Sequence, residues 1–119
     1  MSLTERQQKV IGALEAICRR NFVQYKESCN HLYQANLRKL SIGDEACVYG
    51  NGGLTFQTGR ALGIGASAVL STFKALERKG LVIREKQVRN YQCALYWWPV
   101  GLAAKLSAEL DQGASRHGQ

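Results

Sequence analysis

Apolar residues recur at helical spacing from the start of the chain. Leu3, Val10, Leu14 and Ile17, flanked by Ile11 and Cys18, share one face and predict an amphipathic helix over about residues 3 to 20. Ser2 with Glu5 fits a capping box, and Thr4 with Gln7 offers an alternative start. Arg19 and Arg20 suit the negative end of the helix dipole. A second stripe of Phe22, Tyr25, Cys29, Tyr33, Leu37 and Leu40, with Leu32 beside it, predicts a helix over about 22 to 40. Asn36 falls inside that stripe and needs a partner if buried. His31 lies on the polar face and is given no role.

Between about 41 and 53 the periodicity stops, and Gly43, Gly50, Asn51, Gly52 and Gly53 punctuate a loop. The glycine run lacks the Lys-Ser/Thr of a P-loop and the spacing of a dinucleotide fingerprint. Leu54 to Gln57 alternates as a short strand does, and Thr58 offers an N-cap for a brief helix at 59 to 62. Gly63-Ile64-Gly65 is a tight turn. A helix over 66 to 79 follows and stops at Gly80. Residues 81 to 85 and 91 to 98 are β-rich and joined by 86 to 90, which predicts an antiparallel hairpin. Pro99 suits the first position of a last helix, with Leu102, Ala103, Leu106 and Leu110 as its stripe to about 111. The small polar tail, 112 to 119, is expected to be disordered. The fold class expected is mainly α with a small antiparallel β-hairpin, in one domain over 1 to 111.

The 119 residues suffice for one core without staples. No apolar stretch reaches the roughly 18 residues of a membrane span, and the first residues carry no apolar signal core, so a cytoplasmic protein is expected. Cys18, Cys29, Cys47 and Cys93 form no C-x-x-C pair, which argues against zinc and for reduced, packed thiols. No nucleophile elbow, ligand cluster or acid/base constellation stands out, and the nine carboxylates are scattered, most in helical surface contexts. Neither an enzyme nor a cofactor is expected.

The net charge of +7 favours an anionic partner, and its distribution narrows the choice. Residues 60 to 90 hold Arg60, Lys74, Arg78, Lys79, Arg84, Lys86 and Arg89 against only Glu77 and Glu85. On a helix over 66 to 79, Val69, Phe73 and Leu76 share one side, while Ser67, Ser71, Lys74 and Arg78 share the other.

The order of short strand, short helix, glycine turn, helix and hairpin resembles a winged helix-turn-helix. Leu62-Gly63-Ile64 in the turn, Val69 and Phe73 in the helix, and Leu76-Glu77-Arg78-Lys79-Gly80-Leu81-Val82 entering the hairpin resemble the segment found in MarR-like and GntR-like bacterial regulators. The resemblance covers about residues 54 to 98 and implies double-stranded DNA as partner, with the helix at 66 to 79 in the major groove. Ser67 and Ser71 would then meet base edges or phosphates, and Lys74 and Arg78 the phosphates. Arg60, placed near the start of the preceding helix, would meet phosphate beside backbone amides. Lys86, Gln87 and Arg89 on the wing at 86 to 90 would lie on the backbone or in the minor groove. Such regulators often form two-fold dimers, for which helices 3–20 and 99–111 are the natural elements.

Two departures keep a second reading open. Ala66, Ala68 and Leu70 stand where the family commonly carries polar residues, and Leu70 sits at the edge of the buried face. The insert at 22 to 53 is longer than compact winged helices need, and could pad the core, support a dimer or contact a partner. The alternative is an accessory or protein-interaction module of a replication or conjugation machine. Tyr96, Trp97 and Trp98 could form a stacking platform for single-stranded bases, although alternate members filling the core is the stronger expectation.

Overall fold

A computed structural model describes residues 3–28, 31–41, 52–85 and 96–117. These form α1 (Glu5–Glu27), α2 (His31–Ser41), β1 (Gly53–Leu54), α3 (Thr55–Leu62), α4 (Ala66–Arg78), β2 (Val82–Arg84), β3 (Tyr96–Pro99) and α5 (Leu102–His117). The architecture is mainly helical with one three-stranded antiparallel sheet, ordered β1-β3-β2.

α1 begins on the Thr4–Gln7 capping box. The Thr4 hydroxyl accepts from the Gln7 amide, and the Gln7 side chain accepts from the Thr4 amide, each at 3.1 Å. The helix runs past the expected end at residue 20, because Phe22 extends the buried stripe of Val10, Leu14, Ile17 and Cys18 by one more turn. It ends at Ser28, whose hydroxyl donates to the Tyr25 carbonyl. The helix expected over 22 to 40 is therefore two pieces. Its first part belongs to α1, and α2 starts at His31. Tyr25 and Tyr33 stack across the break with centroids 4.7 Å apart, so one apolar stripe in sequence serves two helices.

The α2 residues Tyr33, Leu37 and Leu40 join the central core and pack this element against α5. Part of the insert thus pads the core. The placement of Asn36's side chain lies outside the described residues, as does the loop segment at 42–51.

The strand expected at 54 to 57 is shorter and earlier. Gly53 pairs with Trp97 and Leu54 with Tyr96, and helix α3 begins at once at Thr55. Thr58 is not an N-cap. It is fully buried inside α3, and its hydroxyl donates back to the Leu54 carbonyl at 3.2 Å. The Gln57 side chain takes the capping role, accepting from the Leu54 amide at 3.0 Å.

Pro99 does not open the last helix. It closes β3 opposite Val82, and α5 starts after Gly101, whose φ of 87° turns the chain. The fixed φ of proline suits a strand end as well as a helix start, and pairing with Val82 decides between them. α5 then continues to His117, through residues expected to belong to the tail.

Trp97 and Trp98 are both fully buried. Neighbouring residues of a strand point to opposite faces, and β3 is the central strand, covered on both. Trp97 stacks on Phe73 with centroids 4.8 Å apart and donates its indole N–H to the Thr55 hydroxyl at 3.0 Å. The expectation that only alternate members are buried fails for this reason, and no stacking platform is left for bases on either tryptophan.

Candidate nucleic-acid interface

The turn between α3 and α4 is set by backbone geometry. Gly63 adopts φ 70°, ψ 29°, a conformation that favours glycine, and the Ile64 amide bonds back to the Gly59 carbonyl at 3.0 Å. Gly59 is buried, and a Cβ there would lie 2.7 Å from the Ile64 carbonyl oxygen. The two helices can cross this closely only because that side chain is missing.

α4 presents two chemically distinct sides. Val69, Phe73 and Leu76 are fully buried, and Thr72 is nearly so, its hydroxyl donating to the Ala68 carbonyl at 2.9 Å. Ser67, Ser71, Lys74 and Arg78 are all exposed on the opposite side. The structure therefore brings these four sequence-predicted residues onto one outward stripe. Leu70 is half-buried and packs against the core, while Ala66 is exposed at the first turn. The N-cap is Gly65, with no side chain bonded to the first amides of the helix.

Arg60 lies elsewhere than expected. It stands in the last turn of α3, because that helix begins at Thr55 and not near residue 59. The backbone amides of the α3 N-terminus are therefore not beside it. Its guanidinium lies 5.8 Å from the centroid of Phe56, itself half-exposed. The wing residues Lys86, Gln87 and Arg89 lie outside the described residues.

Not every cation in this region faces solvent alone. Arg84 forms a two-pronged bond to Glu77, Nε to Oε2 and Nη2 to Oε1, each 2.8 Å. The Arg84 bond holds the Glu77 carboxyl below its ordinary range, and the same bond raises the guanidinium pKa. Lys79 at the end of α4 donates to the Gln7 side chain at 3.1 Å, which ties α4 to the start of α1. Lys74 and Arg78 are the cations that α4 itself presents outward.

Sequence reasoning missed Glu85. It ends the β-rich run 81 to 85 with nothing in its spacing to mark it as buried, yet it is only 4% exposed. Its Oε1 accepts from the Trp98 indole at 2.8 Å and from the Gly52 amide at 3.2 Å. A buried indole N–H needs an acceptor, so the tryptophan pair was the available signal that some polar residue must be inside. Cys18 is also buried, its Sγ 3.7 Å from the Trp97 carbonyl oxygen, and burial pushes its thiol up to about 12. Burial likewise raises the Tyr33 hydroxyl. These two groups are neutral at physiological pH and belong to the interior.

Among the described residues no cluster of three or more His, Cys, Asp or Glu could hold a metal, and no helix is long and apolar enough to cross a membrane. No protein-family model, curated protein or solved structure matches this chain.

Proposed function

We propose that this chain is a winged helix-turn-helix protein that binds double-stranded DNA in the cytoplasm and regulates transcription. The observation that carries the reading is α4. Its inner side is locked by Val69, Phe73 and Leu76, while its outer side carries Ser67, Ser71, Lys74 and Arg78 in the open. α3 enters it through a tight glycine turn, and the antiparallel β2–β3 pair follows. A helix fits the major groove only if its outward side is polar and unobstructed. On this reading Ser67 and Ser71 meet base edges, Lys74 and Arg78 meet phosphates, and the segment 86–90 with Lys86, Gln87 and Arg89 reaches the backbone or minor groove. The chain pairs as a homodimer through α1 and α5, and performs no catalysis.

The test is selection of bound duplexes from a random pool, followed by titration at two salt concentrations. Enrichment of a common sequence that retains affinity at physiological salt supports the reading. Failure to bind any duplex even at low salt ends it.

A second reading is an accessory module of a replication or conjugation machine. The exposed Ala66 at the entry of α4 favours it, since a methyl group offers a base edge little beyond contact with thymine. Salt-sensitive binding with no enriched sequence selects this reading over the first.

A further inference from the structure

Four side chains close a ring between α4 and the sheet. Phe73 and Glu77 stand one turn apart on α4. Phe73 stacks on Trp97 of β3 with centroids 4.8 Å apart. The Arg84 guanidinium of β2 lies 4.9 Å from the centroid of the same indole ring system. Arg84 and Trp97 are directly opposed in the β2–β3 ladder, so their side chains share a face of the sheet. Arg84 then returns to α4 through its two 2.8 Å bonds to Glu77.

Each contact alone leaves a freedom. Val69, Phe73 and Leu76 fix which side of α4 faces inward, while the Phe73–Trp97 stack leaves a small residual rotation of the helix against the sheet. A planar fork bonded to a carboxylate on the same helix, one turn away, removes that rotation. Packing on Trp97 holds the fork itself, since the cation sits over an aromatic face. The pair is also only partly exposed, at 38% and 33% for Arg84 and Glu77.

The geometry points to Glu77 and Arg84 as positioning residues for duplex binding. Locked to each other and to Trp97, they set the angle of α4 against the β2–β3 pair, and with it the direction in which the outward stripe of Ser67, Ser71, Lys74 and Arg78 faces. This inference rests on the DNA-binding reading. It also turns an apparent liability into a requirement: Glu77 is a negative charge on the helix that faces a polyanion, and its removal by electrostatics alone would strengthen binding.

That opposition of sign makes the test sharp. Glu77→Gln, Arg84→Lys and the charge-matched control Ala35→Lys, on the exposed side of α2, are titrated with the selected duplex across a salt series, and each is checked for a native circular-dichroism melt. Glu77→Gln is expected to weaken binding about threefold although it adds a net positive charge. Arg84→Lys, which keeps the charge and loses the fork, should weaken it similarly. Both should leave the slope of log affinity against log salt unchanged, because neither residue meets phosphate. Ala35→Lys should bind as the wild type does or slightly tighter. Folded Glu77→Gln or Arg84→Lys protein binding as tightly as wild type overturns the inference alone. A changed salt slope for Arg84→Lys overturns it too, by making Arg84 a phosphate contact. Absence of wild-type binding overturns the DNA-binding reading, and this inference with it.

Discussion

The indole N–H of Trp98 ends on a buried carboxylate oxygen of Glu85, 2.8 Å away. The same oxygen accepts from the Gly52 amide, so one carboxylate joins β3, the end of β2 and the chain entering β1. A carboxyl group this deep persists only because its partners are in place. Glu85→Ala strands the indole and the amide, and should cost about 3 kcal/mol in urea unfolding. Glu85→Gln keeps a carbonyl acceptor and should cost clearly less. Equal losses for the two variants would show that the hydrogen bonds are not what holds this junction.

Gly52 and Gly12 should respond oppositely to the same substitution. A Cβ on Gly52 would lie 2.5 Å from the Trp97 carbonyl oxygen and 2.7 Å from the Trp98 Nε1, neither free to yield. Gly52→Ala is expected to destabilise the fold by about 3 kcal/mol through overpacking. Gly12 lies exposed within α1 with nothing near its missing Cβ. Gly12→Ala should stabilise by about 0.5–1 kcal/mol, since alanine loses less backbone freedom in a helix. Thermal melts of the two variants on opposite sides of wild type are the expected result.

The Glu77–Arg84 pair gives stability a pH dependence of known sign. The folded-state pKa of Glu77 is depressed, chiefly by its hydrogen bond from Arg84. Its contribution is therefore fully present above the ordinary carboxyl range and is lost as pH falls through the lowered folded value. The stability difference between wild type and Glu77→Gln should shrink through this acid window. Being a third exposed, the pair is screened, and its contribution near neutrality should stay within about 1 kcal/mol and fall with salt. A difference that grows on acidification contradicts the assignment.

Cys18 should resist alkylation while the protein is folded. Burial pushes its thiol up to about 12, and it is fully enclosed by the core. Thiolate is the reactive form, so iodoacetamide at pH 8 should label Cys18 only after urea is added. Peptide mapping by mass spectrometry separates it from the other three cysteines. Rapid native labelling at Cys18 would mean that the α1–β3 core opens readily.

The outward stripe of α4 should divide into two behaviours. Lys74→Ala with Arg78→Ala should weaken duplex binding for all sequences and reduce the salt slope by about two, roughly one for each phosphate left without its cation. Ser67→Ala with Ser71→Ala should instead change which sequences are enriched, with little change in slope. If the serine variant selects the same duplexes as wild type, these hydroxyls do not read bases.

Periodicity along the chain is enough to reveal both sides of α4. Val69, Phe73 and Leu76 on one side, and Ser67, Ser71, Lys74 and Arg78 on the other, lie where the helical repeat puts them, because a helix face is a local property of spacing. Gly63 and Gly80, at φ 70° and 76°, likewise mark the turns on either side of α4. Arg60 departs from expectation for a different reason. Its position in α3 depends on where that helix starts, and the start is dictated by strand pairing of Leu54 with Tyr96 and by capping from Gln57.

Local pattern thus determined the helix faces, the glycine turn and the mainly α composition. Tertiary packing alone decided that one apolar stripe divides between α1 and α2, that Pro99 ends a strand, and that both tryptophans are enclosed. The same holds for Glu85, buried by a partner 13 residues away, and for Arg84, directed to Glu77 and not outward. The physical reason is common to all of these. Hydrogen-bond partners and covered sheet faces come from residues distant in sequence, and no spacing rule along the chain encodes which of them meet.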